Sequence, residues 1–396
     1  MESDNKLFLL DAYALIYRAY YAFIKNPRIN SKGFNTSAIL GFVNTLEEVL
    51  KKENPSHIGV AFDPSGPTFR HEAFEQYKAQ REETPEAIRL SVPIIKDIIH
   101  AYRIPILEVA GYEADDVIGT LATEAGRQGI TTYMMTPDKD YGQLVTDNVF
   151  MYRPKHTGGF EVMGIEEVKA KFDIQSPTQV IDMLGLMGDA SDNIPGCPGV
   201  GEKTAQKLIA EFGSIENLLE HADQLKGALK TKVETNKELI TFSKFLATIK
   251  IDVPIQLEMD KLVREQADED SLRQIFEELE FRTLIDRVLK KENSAGGVTM
   301  TTGSKTATAK SAPSPLPLFP EEGGAIQGDL FANFTGNEAG EAKKSNLETL
   351  ETLNCDYQLI DTEKKRAEII QKLLTSKILS LDTETTGTEP MDAELV

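Results

Sequence analysis

The chain has 396 residues, 40% hydrophobic and 27% charged, which is enough for two or three domains with real cores. Its 43 Lys and Arg against 63 Asp and Glu leave a net charge of −20. Taken alone, that balance argues against a nucleic-acid partner, although acids gathered in a metal site and a solvated linker would give the same total. Cys197 and Cys355 cannot make a disulfide framework or a zinc site, and the scattered His57, His71, His100, His156 and His221 form no ligand pattern. The start, Met1 to Lys6 with Glu2 and Asp4, is no signal peptide, and no apolar run reaches the roughly 18 residues of a membrane span. A soluble, reducing, cytoplasmic setting is expected.

Residues 1–175 alternate short β-rich runs with helical patterns. Leu7–Leu10 runs into Asp11, Ile58–Phe62 into Asp63, and Thr131–Thr136 into Pro137 and Asp138; Val149–Arg153 is a fourth candidate strand. Between them, Ser37–Asn54 puts Ile39, Leu40, Val43, Leu46 and Leu50 on one helical face, and Ala114–Gln128 reads the same way. This alternation predicts an α/β fold with a mostly parallel, doubly wound sheet. Residues 176–290 read as helical. Ser176 is expected to cap the first helix with Pro177 at its first position, and helices are predicted near 178–187, 203–212, 237–249 and 271–290. The Gly/Pro/Asp-rich span 188–202 reads as a loop. Residues 291–349 are dominated by small and polar residues and predict a flexible linker. From 350 a folded pattern returns: Tyr357–Ile360, a helix near 362–375, and Ile378–Leu381 leading into Asp382. Because Val396 follows just after, 350–396 is expected to be the truncated start of a further domain, and the chain a fragment of something longer.

Three separate strands therefore end in an aspartate, and in open α/β sheets ligands bind beyond the carboxyl ends of the strands. Each acid alone has an ordinary explanation. Glu113, Asp115 and Asp116 in Gly-Tyr-Glu-Ala-Asp-Asp (111–116) open a helix, where the dipole favours acids by about 0.3–1 kcal/mol. Asp138 and Asp140, like Asp189 and Asp192 before Asn193-Ile194-Pro195-Gly196, suit turns. Convergence is what changes the reading. Two unit charges 4 Å apart repel by about 4 kcal/mol at an effective dielectric of about 20, and a domain's whole stability is only about 5–15 kcal/mol. Divalent ions remove the difficulty. Oxygen-only donors select hard ions such as Mg²⁺ or Mn²⁺, and two such ions serve in-line displacement at phosphorus.

Five stretches carry a resemblance: LFLLDAYALIYRAYYAF (7–23), VAFDPSGPTFRHEAFEQYKAQRE (60–82), GYEADDVIGTLA (111–122), TPDKDYGQLV (136–145) and GLMGDASDNIPGCPGVGEKTAQKLI (185–209). In order and spacing they resemble the 5′-nuclease domain of bacterial DNA polymerase I, within the flap endonuclease superfamily, over about residues 5–290. The resemblance implies a helix–hairpin–helix subdomain at 176–290. It also implies metal-site roles for Asp11, Asp63, Glu113, Asp115, Asp116, Asp138, Asp140, Asp189 and Asp192, some direct and some through water. The segment 64–100 would be a substrate gate. Its Arg70, Lys78, Arg81 and Arg89 interleave with Phe69, Phe74 and Tyr77, as suits phosphates and unpaired bases. Composition alone also allows an ordinary amphipathic helix, balanced by Glu72, Glu75, Glu82, Glu83 and Glu86. Matching YKAQR to the family's YKxxR implies that Lys78 and Arg81 contact the scissile phosphate and stabilise its developing charge, with Arg70 and Tyr77 binding DNA.

Gly196–Ala205 resembles the GxGxxTA hairpin, which implies that Gly199, Gly201, Lys203 and Thr204 grip a duplex backbone, with K⁺ as a possible occupant; a plain helix–helix turn is the alternative. Leu379–Gly387 resembles the first motif of a proofreading 3′–5′ exonuclease domain, in which Asp382 and Glu384 would ligate metal; without the remaining motifs both are expected to be inert. Gln327–Phe331 resembles the pentapeptide that binds the sliding clamp, with Gly328 departing from the commoner Leu. The whole implies a monomeric 5′-3′ exonuclease and flap endonuclease acting on 5′ ends, flaps, nicks and RNA primers. Two rivals stand beside it. A non-catalytic module that binds DNA structures would predict loss of some of the nine acids. A metal phosphatase or nucleotidase would not need the hairpin.

Overall fold

The computed structural model describes residues 5–155, 159–289 and 362–375. Six strands form one sheet in the order β3-β2-β1-β4-β5-β6. They are β1 (Lys6–Asp11), β2 (His57–Ala61), β3 (Ile106–Leu107), β4 (Thr131–Met135), β5 (Val149–Pro154) and β6 (Phe160–Met163). Neighbours run parallel except β5 and β6. Leu7, Phe8, Leu9 and Leu10 of β1 are all fully buried, as a central parallel strand covered on both faces must be. The chain builds outward from β1 to β3 on one side and from β4 to β6 on the other. The order thus reverses between β1 and β4, and their carboxyl ends open a crevice there. The expected doubly wound sheet is present. Sequence reading passed over β3, which has two residues, and β6, which pairs antiparallel at the edge.

Helices α1 (Ala12–Ala22), α2 (Ser37–Lys52), α3 (Phe69–Ala73), α4 (Glu86–Ala101) and α5 (Ala114–Arg127) link the first four strands, and α6 (Ile165–Phe172) follows β6. Then come α7 (Gln179–Met187), α8 (Glu202–Phe212), α9 (Ile215–Glu220), α10 (Gly227–Thr235) and α11 (Lys237–Ala247), followed by α12 (Met259–Leu262), α13 (Glu269–Glu278) and α14 (Arg282–Leu289). One face of the sheet shares a continuous core with α5 and with α7, α8, α9 and α11. The other face is covered by α1, α2 and α4, and also by α13 and α14. Residues 269–289 therefore return to the sheet rather than packing with the helices before them. α15 (Glu363–Thr375) forms where a helix was expected and is described by itself. The linker at 291–349, the runs Tyr357–Ile360 and Ile378–Leu381, the pentapeptide Gln327–Phe331, and Asp382 and Glu384 lie outside the described residues. No helix among the described residues is long and apolar enough to cross a membrane.

Two expectations about helix ends need correction. Ser176 does not cap α7. Gln179 Oε1 accepts from the Gln175 and Ser176 amides at 2.8 and 3.1 Å, which closes a turn over 175–178 and delays the helix start to Gln179. The single helix expected over 271–290 is broken. Glu280 takes a left-handed backbone with φ +64°, ends α13 and redirects the chain into α14. That conformation costs a non-glycine residue about 1–2 kcal/mol. The Ser31 amide compensates by donating to Glu280 Oε2 at 3.0 Å.

Leu272 and Phe276 of α13 are fully buried against α4, and the Asp268 amide donates to the Ala101 carbonyl at 2.7 Å just before the helix. Phe276→Ala should therefore lower stability by about 3–5 kcal/mol in urea unfolding, the usual range for a buried Phe. A loss below about 1 kcal/mol, less than a core Phe ever costs, would mean that α13 is not part of the cooperative core.

Candidate active site

The acids reach the crevice because local chain chemistry puts them at element ends. Asp11 ends β1 and caps α1. Its Oδ1 accepts from the Ala14 amide at 3.1 Å, while Oδ2 accepts from Thr136 Oγ1 at 3.2 Å and Tyr141 Oη at 3.1 Å. Asp63, just beyond β2, accepts from the Ala114 amide at 2.8 Å and so pins the start of α5. That start is a reciprocal cap: Glu113 is the N-cap residue, and its own amide donates to Asp116 Oδ2 at 3.1 Å. Carboxylate oxygens of Glu113, Asp115 and Asp116 lie within 4.8 Å of one another. Asp138 caps a short 3-10 helix, Lys139–Leu144, by accepting from the Asp140 amide at 3.0 Å.

The remaining pair comes from the loop after α7. Asp189 Oδ1 accepts from the Ser191 amide at 2.8 Å, and Lys139 Nζ lies 3.2 Å from Asp189 Oδ2. Glycines hold this loop in place. A Cβ on Gly188 would lie 2.4 Å from the Ile194 carbonyl oxygen, and one on Gly196 would lie 2.3 Å from the Gly188 nitrogen. Both have positive φ, +74° and +61°, so the two backbones can touch only as glycines. The stretch that follows leads into α8, whose N-cap is Gly201; Gly201 and Lys203 are exposed and Thr204 is half-buried.

The gate is helical only at its two ends, in α3 and α4. After α3 the chain runs through turns to α4, and Lys78 takes φ +57°. These turns dock on the 189–193 loop. The Lys78 amide donates to the Asp192 carbonyl at 3.1 Å, Arg81 Nε to the Ser191 carbonyl at 3.1 Å, and Asn193 Nδ2 to the Gln76 carbonyl at 2.7 Å. Lys78 Nζ thereby lies 2.6 Å from Glu113 Oε1 and 3.7 Å from Asp192 Oδ2, and Arg81 pairs with Asp192 Oδ1.

Arg70 and Tyr77 depart from the expected role of DNA contacts. They are 1% and 3% exposed. Arg70 Nη1 lies 2.8 Å from Glu113 Oε2 and from Asp116 Oδ2. Tyr77 Oη donates to Glu113 Oε2 at 3.0 Å and to Asp192 Oδ2 at 3.1 Å. The carboxylates have drawn both side chains inward, and neither presents a surface to a strand.

Two family models match in tandem: a 5′-3′ exonuclease N-terminal, resolvase-like domain over residues 6–173, and a 5′-3′ exonuclease C-terminal SAM fold over 175–270. The chain belongs to the 5′-3′ exonuclease family. It is 43% identical over 291 residues to a DNA polymerase I of Bacillus subtilis, a match that takes in 73% of this chain and 33% of that protein. It is 35% identical over 393 residues to a DNA polymerase I of Chloroflexus aurantiacus, which takes in 98% of this chain and 40% of that protein. The chain thus spans about a third of the length of the curated relatives it matches. In fold it is similar to a bacteriophage T5 flap endonuclease solved as a pseudo-enzyme-product complex with DNA and metal ions, with a TM-score of 0.51 and 23% identity, covering 69% of this chain and 99% of that one.

In this member of the family the crevice acids are electrostatically coupled. Burial, followed by repulsion from Asp63, pushes the Asp11 carboxyl up to about 7. Asp63, Asp115 and Asp140 are also raised, first by burial and then by neighbouring acids. Glu113 and Asp192 go the other way. Burial opposes their ionisation, but Lys78, with Arg70 for Glu113 and Arg81 for Asp192, outweighs it and holds both below the ordinary range. The donors suit a hard divalent ion: all are oxygens, and the buried Asp140 Oδ1 has no hydrogen-bond partner among the described residues. Sequence reading missed Thr136 and Tyr141 as the groups that orient Asp11, and Lys139 as the partner of Asp189. All three lie within TPDKDYGQLV, where a buried hydroxyl beside acids was the available signal.

A carboxyl raised from 3.8 to about 7 on folding binds its proton more tightly in the folded chain. The stability it contributes is present at low pH and is lost as pH climbs through about 7. In EDTA the protein should therefore melt at a higher temperature near pH 6 than near pH 8. Mg²⁺ should raise the midpoint more at the higher pH. Calorimetry at both pH values reads this directly, and equal midpoints in EDTA would mean that the acids do not repel one another as a unit.

Proposed function

We propose that this chain is a divalent-metal-dependent, structure-specific 5′ nuclease that hydrolyses phosphodiesters at 5′ ends and flaps of duplex DNA, as in removing primers and translating nicks. The observation that carries this reading is the meeting of Asp11, Asp63, Glu113, Asp115, Asp138, Asp140, Asp189 and Asp192 at the carboxyl ends of β1, β2 and β4, with Lys78 and Arg81 seated over them. These acids would hold Mg²⁺ or Mn²⁺, which when bound supply Lewis acidity for activating water and neutralising the leaving oxygen. Glu113 and Asp192 release Lys78 and Arg81 toward the scissile phosphate, where the two cations stabilise charge that grows in the transition state. Thr136 and Tyr141 keep Asp11 turned into the crevice. The gate admits a single strand. The exposed backbone around Gly199 and Gly201, with Lys203 at the start of α8, holds the duplex backbone without reading sequence.

The loop carrying Asp189 and Asp192 runs directly into that hairpin, so duplex grip and cleavage share one short segment. A binding-only module has no use for a buried acid crevice, and a mononucleotide phosphatase has no use for the hairpin. The reading is of a monomer in the cytoplasm, at the nucleoid.

A 5′-flap duplex labelled at the 3′ end of the flapped strand tests this. The chain should cut at the junction in Mg²⁺ and not in EDTA, and Lys78→Ala/Arg81→Ala should lose about 10²–10³-fold or more in kcat while still binding the flap. Tight binding with no cutting in Mg²⁺ or Mn²⁺ would overturn the nuclease reading. Lys203→Glu should weaken duplex binding while leaving single-turnover cleavage at saturating enzyme near wild type. An equal loss in both would move Lys203 from the grip to the chemistry.

A further inference from the structure

Arg70 sits where its charge works against the site. A guanidinium beside acids that await a cation repels that cation, so any benefit of Arg70 to metal binding has to come from geometry. The geometry is fully specified. Nε donates to the Leu246 carbonyl at 2.9 Å. Nη1 donates to Glu113 Oε2 and to Asp116 Oδ2, both at 2.8 Å. Nη2 donates to Asp116 Oδ1 at 2.8 Å and to the Thr248 carbonyl at 2.9 Å. The five donors of the fork meet five acceptors.

Asp116 is equally occupied. Besides Arg70, its Oδ1 accepts from the Lys250 amide at 2.8 Å and its Oδ2 from the Glu113 amide at 3.1 Å. Two oxygens thus receive four donors, which fills a carboxylate's acceptor capacity, and the residue is fully buried. Asp115, one position earlier, keeps a side chain 24% exposed.

We infer that Arg70 is a positioning residue for the metal-binding start of α5, and that Asp116 is its fixed partner rather than a metal ligand. The pair clamps three stretches together: the gate helix α3, the cap of α5, and the strap 246–250 that leaves α11. Glu113 Oε2 is oriented by the same nitrogen that holds Asp116, so the aim of the metal-site acids depends on a strap more than 130 residues away in the chain, 134 between Asp116 and Lys250. Lysine, a point charge without a fork, cannot reproduce this set.

The inference rests on the nuclease reading, and the test separates the two. Mn²⁺ is titrated calorimetrically into the full chain, with thermal midpoints taken in EDTA, for wild type, Arg70→Lys, Asp116→Asn and the paired Arg70→Met/Asp116→Leu. Removing both charges together spares the fold the unpaired buried ion that either single loss leaves. Arg70→Lys and the paired variant should stay folded yet bind Mn²⁺ about 10–100-fold more weakly, the usual effect of losing a group that orients ligands. Asp116→Asn should keep the wild-type number of bound ions. Mn²⁺ affinity equal to or tighter than wild type in the folded paired variant would overturn the positioning role, since a purely electrostatic Arg70 predicts tightening. Loss of one bound ion in Asp116→Asn with an unchanged midpoint would overturn its role as partner. If wild type binds no Mn²⁺, the metal-dependent reading fails, and this inference with it.

Discussion

Mutual repulsion among crowded carboxylates is the constraint on which this architecture turns. Parallel strands bring Asp11, Asp63 and Asp138 to one crevice, and the α5 cap and the 189–192 loop add more acids from other directions. Burial and repulsion together push most of them away from ionisation. The chain answers with its own cations in two tiers. Arg70 lies inside, 1% exposed and saturated with acceptors. Lys78 and Arg81 lie outside it, with side chains 20% and 38% exposed, each held by carboxylates that a divalent ion would compete for. An inner cation of that kind is structural, whereas outer ones are exchangeable. That division is what a site alternating between ion-free and ion-loaded states requires.

The same contacts join the two parts of the proposed substrate path. The turns at 76–81 bond to the backbone of 190–193, and that loop is welded to the hairpin by the Gly188–Gly196 approach. A displacement of the gate is therefore felt at the hairpin through Asp192, and Asp192 is itself a member of the acid crevice. Cleavage at a junction needs this coupling, because the strand to be cut and the duplex that defines the junction have to be registered to one another within a few ångströms.

Much of this was legible in sequence wherever a residue's role follows from its neighbours along the chain. The strand-end aspartates, the acids opening α5 and the loop before α8 are local patterns, and the parallel sheet follows from their alternation with helices. What escaped depends on partners distant in sequence. Arg70 looked like a phosphate contact because basic and aromatic residues alternate around it; its burial is decided by the Leu246 and Thr248 carbonyls, 176 and 178 positions away. The turns at 74–81 within the gate escaped for a related reason. The turns are held by bonds to 190–193, and no propensity of the segment itself encodes them. Ser176 lost its capping role to a side chain only three residues on, a competition between Ser and Gln that pattern reading does not resolve.

The net charge of −20 also takes on a different meaning. Counted over the whole chain, it opposes any polyanion. Counted at the crevice, under the proposed function, the acids would seat divalent ions, and their charge would turn into attraction for phosphate once those seats are filled. The remaining acidic surface still repels DNA. On that proposal, binding would be favourable only where metal-loaded acids, the gate cations and the hairpin amides act on the same strand ends. Since phosphate contacts carry no sequence information, a protein that recognises structure must gain its selectivity from the geometry in which those contacts can be made at once. A general negative charge sharpens that selectivity by weakening every partial engagement, such as a duplex touching the hairpin alone or a single strand touching the gate alone.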